Sequence, residues 1–305
     1  MKVLILSDRD VEHLLTMEAC IEVMADALAA LARGEVHNPL RMPVRAPGAP
    51  GLLGLMPAWR GGETPYYALK EVCVFPENPK RGLDTHLGAV ILHSGDTGQP
   101  LAFMNASAIT AIRTAAVSAV ATRLLAREDA GVLAIIGTGV QGRSHRVAIP
   151  LVRPIREIRM CGRGESVEEA VRGADIVVTA TSSKEPILRR EWLSPGVHIN
   201  AVGSSVPTAR ELEANLVAEA ALFVDRREST VNESGDYLAA VEKGAVIRAE
   251  LGELLIGAAE GRKSESEITL FKSLGLAVED LAAAAFLYDA ARQTGRGTWV
   301  EFAAE

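Results

Sequence analysis

The chain has 305 residues, 48% of them hydrophobic, and a formal net charge of −7, which is typical of two globular domains. The negative charge argues against nucleic acid or an anionic membrane as the main partner, and no apolar run approaches the roughly 18 residues of a membrane span. Three cysteines without paired spacing suit a reducing compartment, and the first residues reach acidic side chains too soon for a signal peptide. We therefore expect a cytoplasmic protein that binds neither nucleic acid nor a membrane.

The first third of the chain predicts one helix followed by a mainly antiparallel sheet. Apolar residues recur at helical spacing over residues 16–31, and Gly34 marks a stop. Pro and Gly clusters then separate three short runs rich in β-forming residues, at Leu52–Met56, Tyr66–Phe75 and Ala89–His93. An Ala-rich helix over residues 107–125 follows and connects this part to the next.

Three basic residues lie in otherwise apolar or β-like segments of this first part: Arg41, Lys70 and Arg113. Lys70 shares a strand face with Val72 and Val74, and on the core side of a sheet an ammonium group needs an anion. A lysine that extends to water and an ordinary surface position for Arg41 are the structural alternatives. A planar guanidinium group can grip a carboxylate through two parallel hydrogen bonds, which makes an arginine in such a segment a candidate for binding one.

A dinucleotide-binding pattern begins at the apolar strand Val132–Ile136. It runs directly into the turn Gly137-Thr138-Gly139-Val140-Gln141-Gly142, which a helix follows. In such a site the first glycine makes the tight turn, the second lets backbone approach a pyrophosphate, and the third lets the helix pack on the strand. The helix N-terminus then faces the phosphates. An ordinary glycine turn in an α/β fold is the alternative.

The next strand, Glu157–Met160, ends in Cys161-Gly162-Arg163. Sites for NAD usually carry an acidic residue here, whereas an arginine accommodates the 2′-phosphate of NADP. Arg163 lies about where that choice is made and no acid precedes it, so NADPH is favoured, with NADH possible. A solvated surface arginine is the alternative.

The segment after Arg163 is unusually short. Only one helical pattern, Ser166–Arg172, separates this strand from the next one, Ile176–Thr179, where a standard half would hold a helix, a strand and a further helix. Either the domain is shortened near residues 161–166, or the chain as written joins two segments across an omitted loop. Further strands at His198–Val202 and Ala221–Val224 and a helix at Val278–Arg292 complete the pattern.

Several ordered motifs together resemble the ornithine cyclodeaminase/mu-crystallin family over nearly the whole chain. They are the glycine turn, Leu55–Ala58, Ala68–Lys70, Thr110–Ala116 and His198–Gly203, and two later stretches, Glu233–Asp236 and Phe271–Asp280, are closest to the mu-crystallin (ketimine reductase) branch. The resemblance implies a homodimer with a Rossmann-type parallel-sheet domain and an α+β substrate and dimerisation domain. We assign residues 113–279 to the former and residues 1–112 with 280–305 to the latter.

The resemblance also implies roles for individual residues. Arg41, Lys70 and Arg113 would together hold the carboxylate of an imino or amino acid at the catalytic centre. The cofactor would be held by the glycine-turn residues Gly137, Thr138, Gly139, Val140, Gln141 and Gly142, and by Thr85, His86, Arg113, Thr114, Gly162, Arg163, Thr181, Val202, Gly203, Ser205, Lys272 and Ser273. A lone histidine is more often structural, which is the alternative for His86 and the expectation for His145.

Two departures from the cyclodeaminase branch bear on the reaction. Ser205 stands where that branch carries an acid/base aspartate, and Gly54 stands where it carries a glutamate for the distal amine of ornithine. Serine cannot exchange a proton near neutral pH as a carboxylate does. We therefore expect NAD(P)H-dependent reduction of the C=N bond of a cyclic or open-chain 2-imino carboxylate. A cyclodeaminase using NAD+ catalytically and a non-catalytic, crystallin-like binding protein are the alternatives.

No histidine and carboxylate cluster has the spacing of metal ligands, so we expect no metal.

Overall fold

The computed structural model describes residues 1–303 and divides the chain into two compact units. The first contains Met1–Arg113 and the chain from Leu276 onward, and the second contains Thr114–Gly275. These limits lie a few residues from the domain bounds assigned from the sequence, and the roles assigned to the two domains stay predictions.

Among residues 1–303, fifteen strands and ten α-helices form the two units. The strands are β1 (Lys2–Leu6), β2 (Val36–His37), β3 (Met42–Val44), β4 (Leu52–Arg60), β5 (Tyr66–Val74), β6 (His86–Ser94), β7 (Pro100–Asn105), β8 (Val132–Ile136), β9 (Glu157–Cys161), β10 (Ile176–Thr179), β11 (His198–Ala201), β12 (Ala221–Val224), β13 (Ile247–Glu250), β14 (Thr269–Lys272) and β15 (Thr298–Glu301). The helices are α1 (Asp8–Leu14), α2 (Met17–Ala32), α3 (Ala106–Leu125), α4 (Val140–Ala148), α5 (Val167–Val171), α6 (Ala214–Glu219), α7 (Arg227–Glu233), α8 (Gly235–Ala240), α9 (Leu251–Leu255) and α10 (Ala277–Thr294).

The first unit is built on an eight-stranded sheet in the order β15-β1-β7-β6-β5-β4-β2, with β3 also paired to β4. The run from β4 to β7 is antiparallel, as predicted, whereas β1 pairs with β7 in parallel. Helices α2 and α10 pack against each other, and α10 also contacts β4, β5 and β6. One face of this sheet is therefore covered by helices.

The other face of the same sheet carries a continuous apolar row. Paired residues on five neighbouring strands form it: Pro57, Leu69, Ile91, Phe103 and Ile5. The first four are half-buried, and Ile5 is exposed. This open face is named the apolar row below.

The second unit is built on a parallel seven-stranded sheet in the order β13-β12-β14-β11-β10-β8-β9. Every residue of β10, β11, β12 and β14 is buried. Strands buried on both faces of a parallel sheet form continuous apolar runs. The Rossmann-type parallel sheet predicted from the sequence is confirmed.

The connection after β9 is short. Strand β9 lies at the end of the sheet, and the chain returns through the five-residue helix α5 to β10, on the other side of β8. Among residues 1–303 no strand pairs with the outer edge of β9. The strand and helix that a standard half would add after β9 are therefore missing from the described chain.

Helix α3 corrects the expectation that no segment has the length and apolar composition of a membrane span. Its 20 residues have a mean hydropathy of 1.3 over an 18-residue window, so by length and composition it passes the test for a membrane span. Ser, Thr and Arg interrupt its apolar residues, which is why no continuous apolar run is visible. The protein buries 72% of the window, and core helices of globular proteins pass the same test.

Candidate active site

Lys70 is buried in the core of the first unit, on the helix-covered face of β5. Its side chain is only 4% exposed, and its Nζ donates hydrogen bonds to Thr110 Oγ1 at 2.7 Å and Asp280 Oδ1 at 3.1 Å. The alternative of a lysine that extends to water is therefore wrong. The anion that such a buried ammonium group needs is supplied by α10.

Arg113 on α3 joins the same cluster. Its Nη1 donates to Glu279 Oε2 at 2.7 Å, and its Nε donates to Asp280 Oδ1 at 3.3 Å. Asp280 Oδ1 is therefore shared by Lys70 and Arg113. These four side chains are named the buried charge cluster below.

The two acidic members of the buried charge cluster lie in the first turn of α10. Carboxylates are favoured there because the helix dipole places positive charge at the N-terminus. The turn is also anchored by Asn38, whose Oδ1 accepts a hydrogen bond from Val278 N at 2.8 Å. The start of α10 thus presents both carboxylates to the two cations.

Burial controls the protonation of Lys70. Desolvation lowers the pKa of Lys70 from its usual 10.5 to about 8, and the positive charge of Arg113 acts in the same direction, while Asp280 opposes both. The formal charges of the cluster sum to zero when all four groups are ionised. The second carboxylate oxygen of Asp280 is buried and has no hydrogen-bond partner among the described residues.

Arg41 lies close to this cluster in the strand register. It directly precedes β3, whose first residue, Met42, pairs with Leu55, and the neighbouring Met56 pairs with Lys70. The half-buried Arg41 therefore lies at the end of β3 next to the row that contains Lys70. Gly54 pairs with Val72, two residues from Lys70 on the same face, so the position that the resemblance gives to a glutamate carries no side chain.

His86 and His145 lie in different surroundings. His86 is exposed at the start of β6, and partial desolvation and the nearby charge of Lys70 lower its pKa. His145 is fully buried, 2.7 Å from Gln141 O through Nδ1 and 2.9 Å from Ser118 Oγ through Nε2, and burial lowers its pKa to about 4. The expectation that His145 is structural is confirmed.

The glycine turn of the second unit has the shape that a dinucleotide requires. Gly137 has φ +123°, and Gly142 lies so close to the turn that an added Cβ would be 1.9 Å from Gly137 O. A Cβ on Gly139 would meet no atom within 4 Å. Gly139 also precedes the first residue of α4, so backbone N–H groups and open space are available to a pyrophosphate. The residues present fit the predicted cofactor.

The end of β9 lies beside this turn. Gly137 N donates to Cys161 O at 2.9 Å, and the atoms nearest to a Cβ built on Gly162 include Thr138 Cγ2 at 3.6 Å. Arg163 follows with an exposed side chain. The structure thus brings Gly162 and the glycine turn together, as a site for the adenosine end of a dinucleotide requires.

A buried carboxylate holds the predicted cofactor residues after β10 and β11. Glu211 Oε1 accepts from Thr181 N at 2.7 Å and from Thr181 Oγ1 at 2.8 Å, while Oε2 accepts from Gly203 N at 2.7 Å. Burial raises the pKa of Glu211, against the opposing charge of Lys272 and these hydrogen bonds. Val202 adds a backbone hydrogen bond from its N to Thr179 O at 2.9 Å.

The other predicted cofactor residues differ in how far they are exposed and in whether they already have a partner in the protein. Lys272 is buried with its Nζ 3.0 Å from Asp236 Oδ2, so its ammonium group already has an anionic partner inside the unit. Ser273 and Thr114 are also buried, whereas Thr85 and Ser205 are partly exposed. Contact between any of these residues and a cofactor stays a prediction.

Sequence reasoning gave no role to the acidic residues that organise both units. They are Glu211, Asp236, Glu279 and Asp280. A pair of acids at the start of an otherwise Ala-rich apolar helix was a usable signal for Glu279 and Asp280, and Asp236 ends the motif Glu233–Asp236, but no local pattern marks Glu211. Arg143 was also missed: it lies in the first turn of α4, and its Nη1 donates to Thr138 O at 3.0 Å. A cation there suits a phosphate ligand.

Comparisons with known proteins agree with this geometry. The family model of the ornithine cyclodeaminase/mu-crystallin family matches residues 1–166 and 163–295, two segments that meet at the short connection after β9. Ketimine reductase mu-crystallin of Mus musculus is 40% identical over 299 residues, covering 91% of this chain and 94% of that protein.

Two solved structures are similar over almost their full length. One is the Delta(1)-pyrroline-2-carboxylate reductase of Thermococcus litoralis in complex with NADH and L-proline, with a TM-score of 0.91, 37% identity and coverage of 97% of this chain and 99% of that one. The other is an archaeal alanine dehydrogenase dimer with bound NAD, with a TM-score of 0.92, 32% identity and coverage of 99% and 100%.

The fold, the glycine turn and these comparisons define an oxidoreductase that uses a nicotinamide dinucleotide and acts on carbon–nitrogen bonds. This class was predicted from the sequence and is confirmed. The chain belongs to the ornithine cyclodeaminase/mu-crystallin family.

Proposed function

We propose that the protein reduces the C=N bond of a 2-imino carboxylate, cyclic or open-chain, to the corresponding amino acid. The observation that carries this proposal is the buried charge cluster, in which Lys70 and Arg113 meet at one carboxylate of α10. Two cations held together in a core are suited to a small anionic ligand. Because Glu279 and Asp280 neutralise the two cations, we expect a ligand that carries a positive charge as well as its carboxylate. Relatives that act on imino or amino acids support the same substrate class.

The residues of the cluster bind and orient the substrate in this proposal. Lys70 and Arg113, with Arg41 at the end of β3, hold the carboxylate of the substrate. Glu279 and Asp280 offset the two buried cations, so the site does not oppose a protonated imine, which is a better electrophile than the neutral form. The bound dinucleotide supplies the hydride for the imine carbon. The protein contributes alignment and charge.

Two positions favour reduction over cyclisation with loss of ammonia. Gly54 leaves the Lys70 face of β4 without the carboxylate that would receive a distal amine, and Ser205 stands in place of the acid/base aspartate. Retention of Lys70, Arg113 and the carboxylates around them also favours an enzyme over a simple binding protein.

The finer choice of cofactor is part of the proposal. We assign NADPH as the preferred reductant because the exposed Arg163 follows β9 at the end of the strand where a 2′-phosphate is recognised. NADH is the second reductant that we assign to the same turn, in line with the two similar structures, which contain NADH and NAD.

A homodimer is also part of the proposal. The apolar row on the open face of the first unit's sheet is continuous across five strands, and exposed apolar faces of this kind mark protein interfaces. A second copy of this chain is the occupant we assign to it, in line with the dimeric archaeal relative.

The decisive experiment follows oxidation of NADPH, and separately of NADH, with a panel of cyclic imino acids and of 2-keto acid and amine pairs. We expect net oxidation of the dinucleotide with at least one member of the panel. Lys70→Ala should lose most of the turnover and retain the affinity for NADPH, because it removes a substrate contact and leaves the glycine turn intact. Ammonia release from ornithine without net oxidation of the dinucleotide, or equal turnover in Lys70→Ala and wild type, would contradict the proposal.

A further inference from the structure

The turn that follows β9 holds an acidic residue that the sequence pattern did not single out. Glu165 lies three residues beyond Gly162, and its Oε2 accepts a hydrogen bond from Gly162 N at 2.5 Å, while Glu165 N lies 3.4 Å from Gly162 O. A side chain and a backbone contact thus fold residues 162–165 back on themselves. No acidic residue directly precedes Arg163, but the carboxylate of Glu165, two residues after Arg163, lies at the end of β9.

This carboxylate lies beside the glycine turn. The two nearest atoms to a Cβ built on Gly162 are Glu165 Oε2 at 3.4 Å and Thr138 Cγ2 at 3.6 Å. The side chain of Glu165 is exposed, and with Oε2 bonded to Gly162 N the other carboxylate oxygen remains to accept from a ligand. In a dinucleotide site of this topology, the end of the second strand faces the 2′ position of the adenosine ribose.

We propose that Glu165 selects between the two dinucleotides by accepting the ribose 2′-hydroxyl of NADH and repelling the 2′-phosphate of NADPH. The inference rests on the proposed function, because it assumes that a dinucleotide lies on the glycine turn. A phosphate monoester carries more than one negative charge at neutral pH, so a carboxylate beside it opposes binding. A hydroxyl group instead donates to the same carboxylate.

Arg163 and Glu165 then act in opposite directions within one turn. The arginine attracts a 2′-phosphate and the glutamate repels it, so the difference in affinity between NADPH and NADH is the balance of the two side chains. The short connection makes this turn decisive, since no further strand is present among residues 1–303 to add side chains beyond β9. Of the two acids that follow in α5, Glu168 is paired with Arg172 and Glu169 is exposed.

The test measures the Kd of NADPH and of NADH by their fluorescence, with the full chain and no substrate. Glu165→Gln removes the charge while its amide oxygen can still accept from Gly162 N, so the fold is preserved. We expect the ratio of the NADPH Kd to the NADH Kd to fall by about tenfold, as removal of a like charge predicts. Glu169→Gln, an equal change of charge at an exposed site nearby, should leave the ratio as in wild type.

The outcomes separate this inference from the proposed function. An unchanged ratio in Glu165→Gln, with both dinucleotides still bound, would overturn the role of Glu165 and leave the proposed function intact. An equal shift in Glu169→Gln would show a general charge effect and would also overturn it. Failure of the wild-type protein to bind either dinucleotide would overturn both.

Discussion

Asp280 accepts hydrogen bonds from two basic side chains through one oxygen. Its Oδ1 is 3.1 Å from Lys70 Nζ and 3.3 Å from Arg113 Nε, and all three side chains are almost fully buried. Removing one partner of a buried ion pair typically costs about 3–5 kcal/mol, because the remaining charge is left without compensation. Asp280→Asn perturbs the site less than a truncation to alanine would, because it keeps the shape of the side chain and one acceptor oxygen.

The pH dependence of the reaction should report on this contact. We expect kcat/KM for the imine to fall as pH rises through the pKa of Lys70, about 8, because neutral Lys70 no longer attracts the carboxylate. In Asp280→Asn the group that raises this pKa is gone while burial and Arg113 still lower it, so the alkaline fall should begin at lower pH.

The measurement compares kcat/KM across neutral and alkaline pH for wild type and Asp280→Asn with the same imine, so that ionisation of the substrate is common to both. Asp289→Asn, at an exposed site on the same helix, serves as the control and should keep the wild-type profile. An alkaline limb at the same pH in all three proteins would contradict the assignment.

The buried charge cluster is only partly predictable from the sequence, because its members lie far apart in the chain. Alternation within Tyr66–Val74 indicates that Lys70 faces the core, and the apolar neighbours indicate that it needs an anion. The anion is 210 residues away in sequence, and no local spacing links the two. Long-range partners of this kind are set by tertiary packing, so Asp280 could be noticed as an acid in an apolar helix but not paired.

The glycine turn and α4 form the element on which cofactor binding depends. Gly142 serves packing, because a Cβ there would collide with Gly137 O, whereas Gly139 serves the ligand, because a Cβ there would touch nothing in the protein. The two glycines therefore have separable roles in one turn.

Gly139→Ala should test the ligand role without a change in stability. Gly139 has φ −71°, which any residue adopts, so we expect the unliganded variant to keep the Tm of wild type. Its affinity for NADPH and NADH should fall by an order of magnitude or more, because the methyl group occupies the space of the pyrophosphate. Gly142→Ala should lower the Tm itself, and retention of wild-type affinity by Gly139→Ala would contradict the placement of the pyrophosphate.

Apolar composition alone did not decide which strands were predicted, because β1 and β7 are largely apolar and were missed. The fully buried β10 and β12 match their predicted bounds, as does β8. Strand β14 was missed because its four residues include Lys272, and β15 because all four of its residues are exposed. A buried lysine with an internal partner does not differ in sequence from one in a surface loop.

The two sheets of the molecule differ in how far they are buried. We propose that the unit with the parallel sheet binds the dinucleotide and that the first unit binds the substrate and forms the dimer. The parallel sheet is closed to water on both faces in its central strands, whereas the sheet of the first unit keeps its apolar row half-buried. An apolar row of this length is better explained by a protein partner than by solvent.

Ile91→Lys should therefore weaken the dimer. Ile91 lies in the middle of the apolar row, paired with Leu69 and Phe103, and a lysine there places a charge in the interface that we assign to a second copy. We expect the mass measured by light scattering to shift from dimer toward monomer. Val246→Lys, at a site 73% exposed in the second unit, is the control, and a monomeric wild type or an undisturbed Ile91→Lys dimer would contradict the assignment.

The outer edge of β9, with which no strand among residues 1–303 pairs, has one further consequence, for aggregation. Unpaired edge strands invite aggregation by accepting a strand from another molecule, and short length and charged side chains discourage it. Strand β9 has five residues. Arg159 Nε donates to Glu157 Oε1 at 2.7 Å along the strand, and Arg159 Nη1 donates to Arg172 O at 2.7 Å. The unpaired edge of β9 is a template for strand swapping, and these two charged side chains disfavour it.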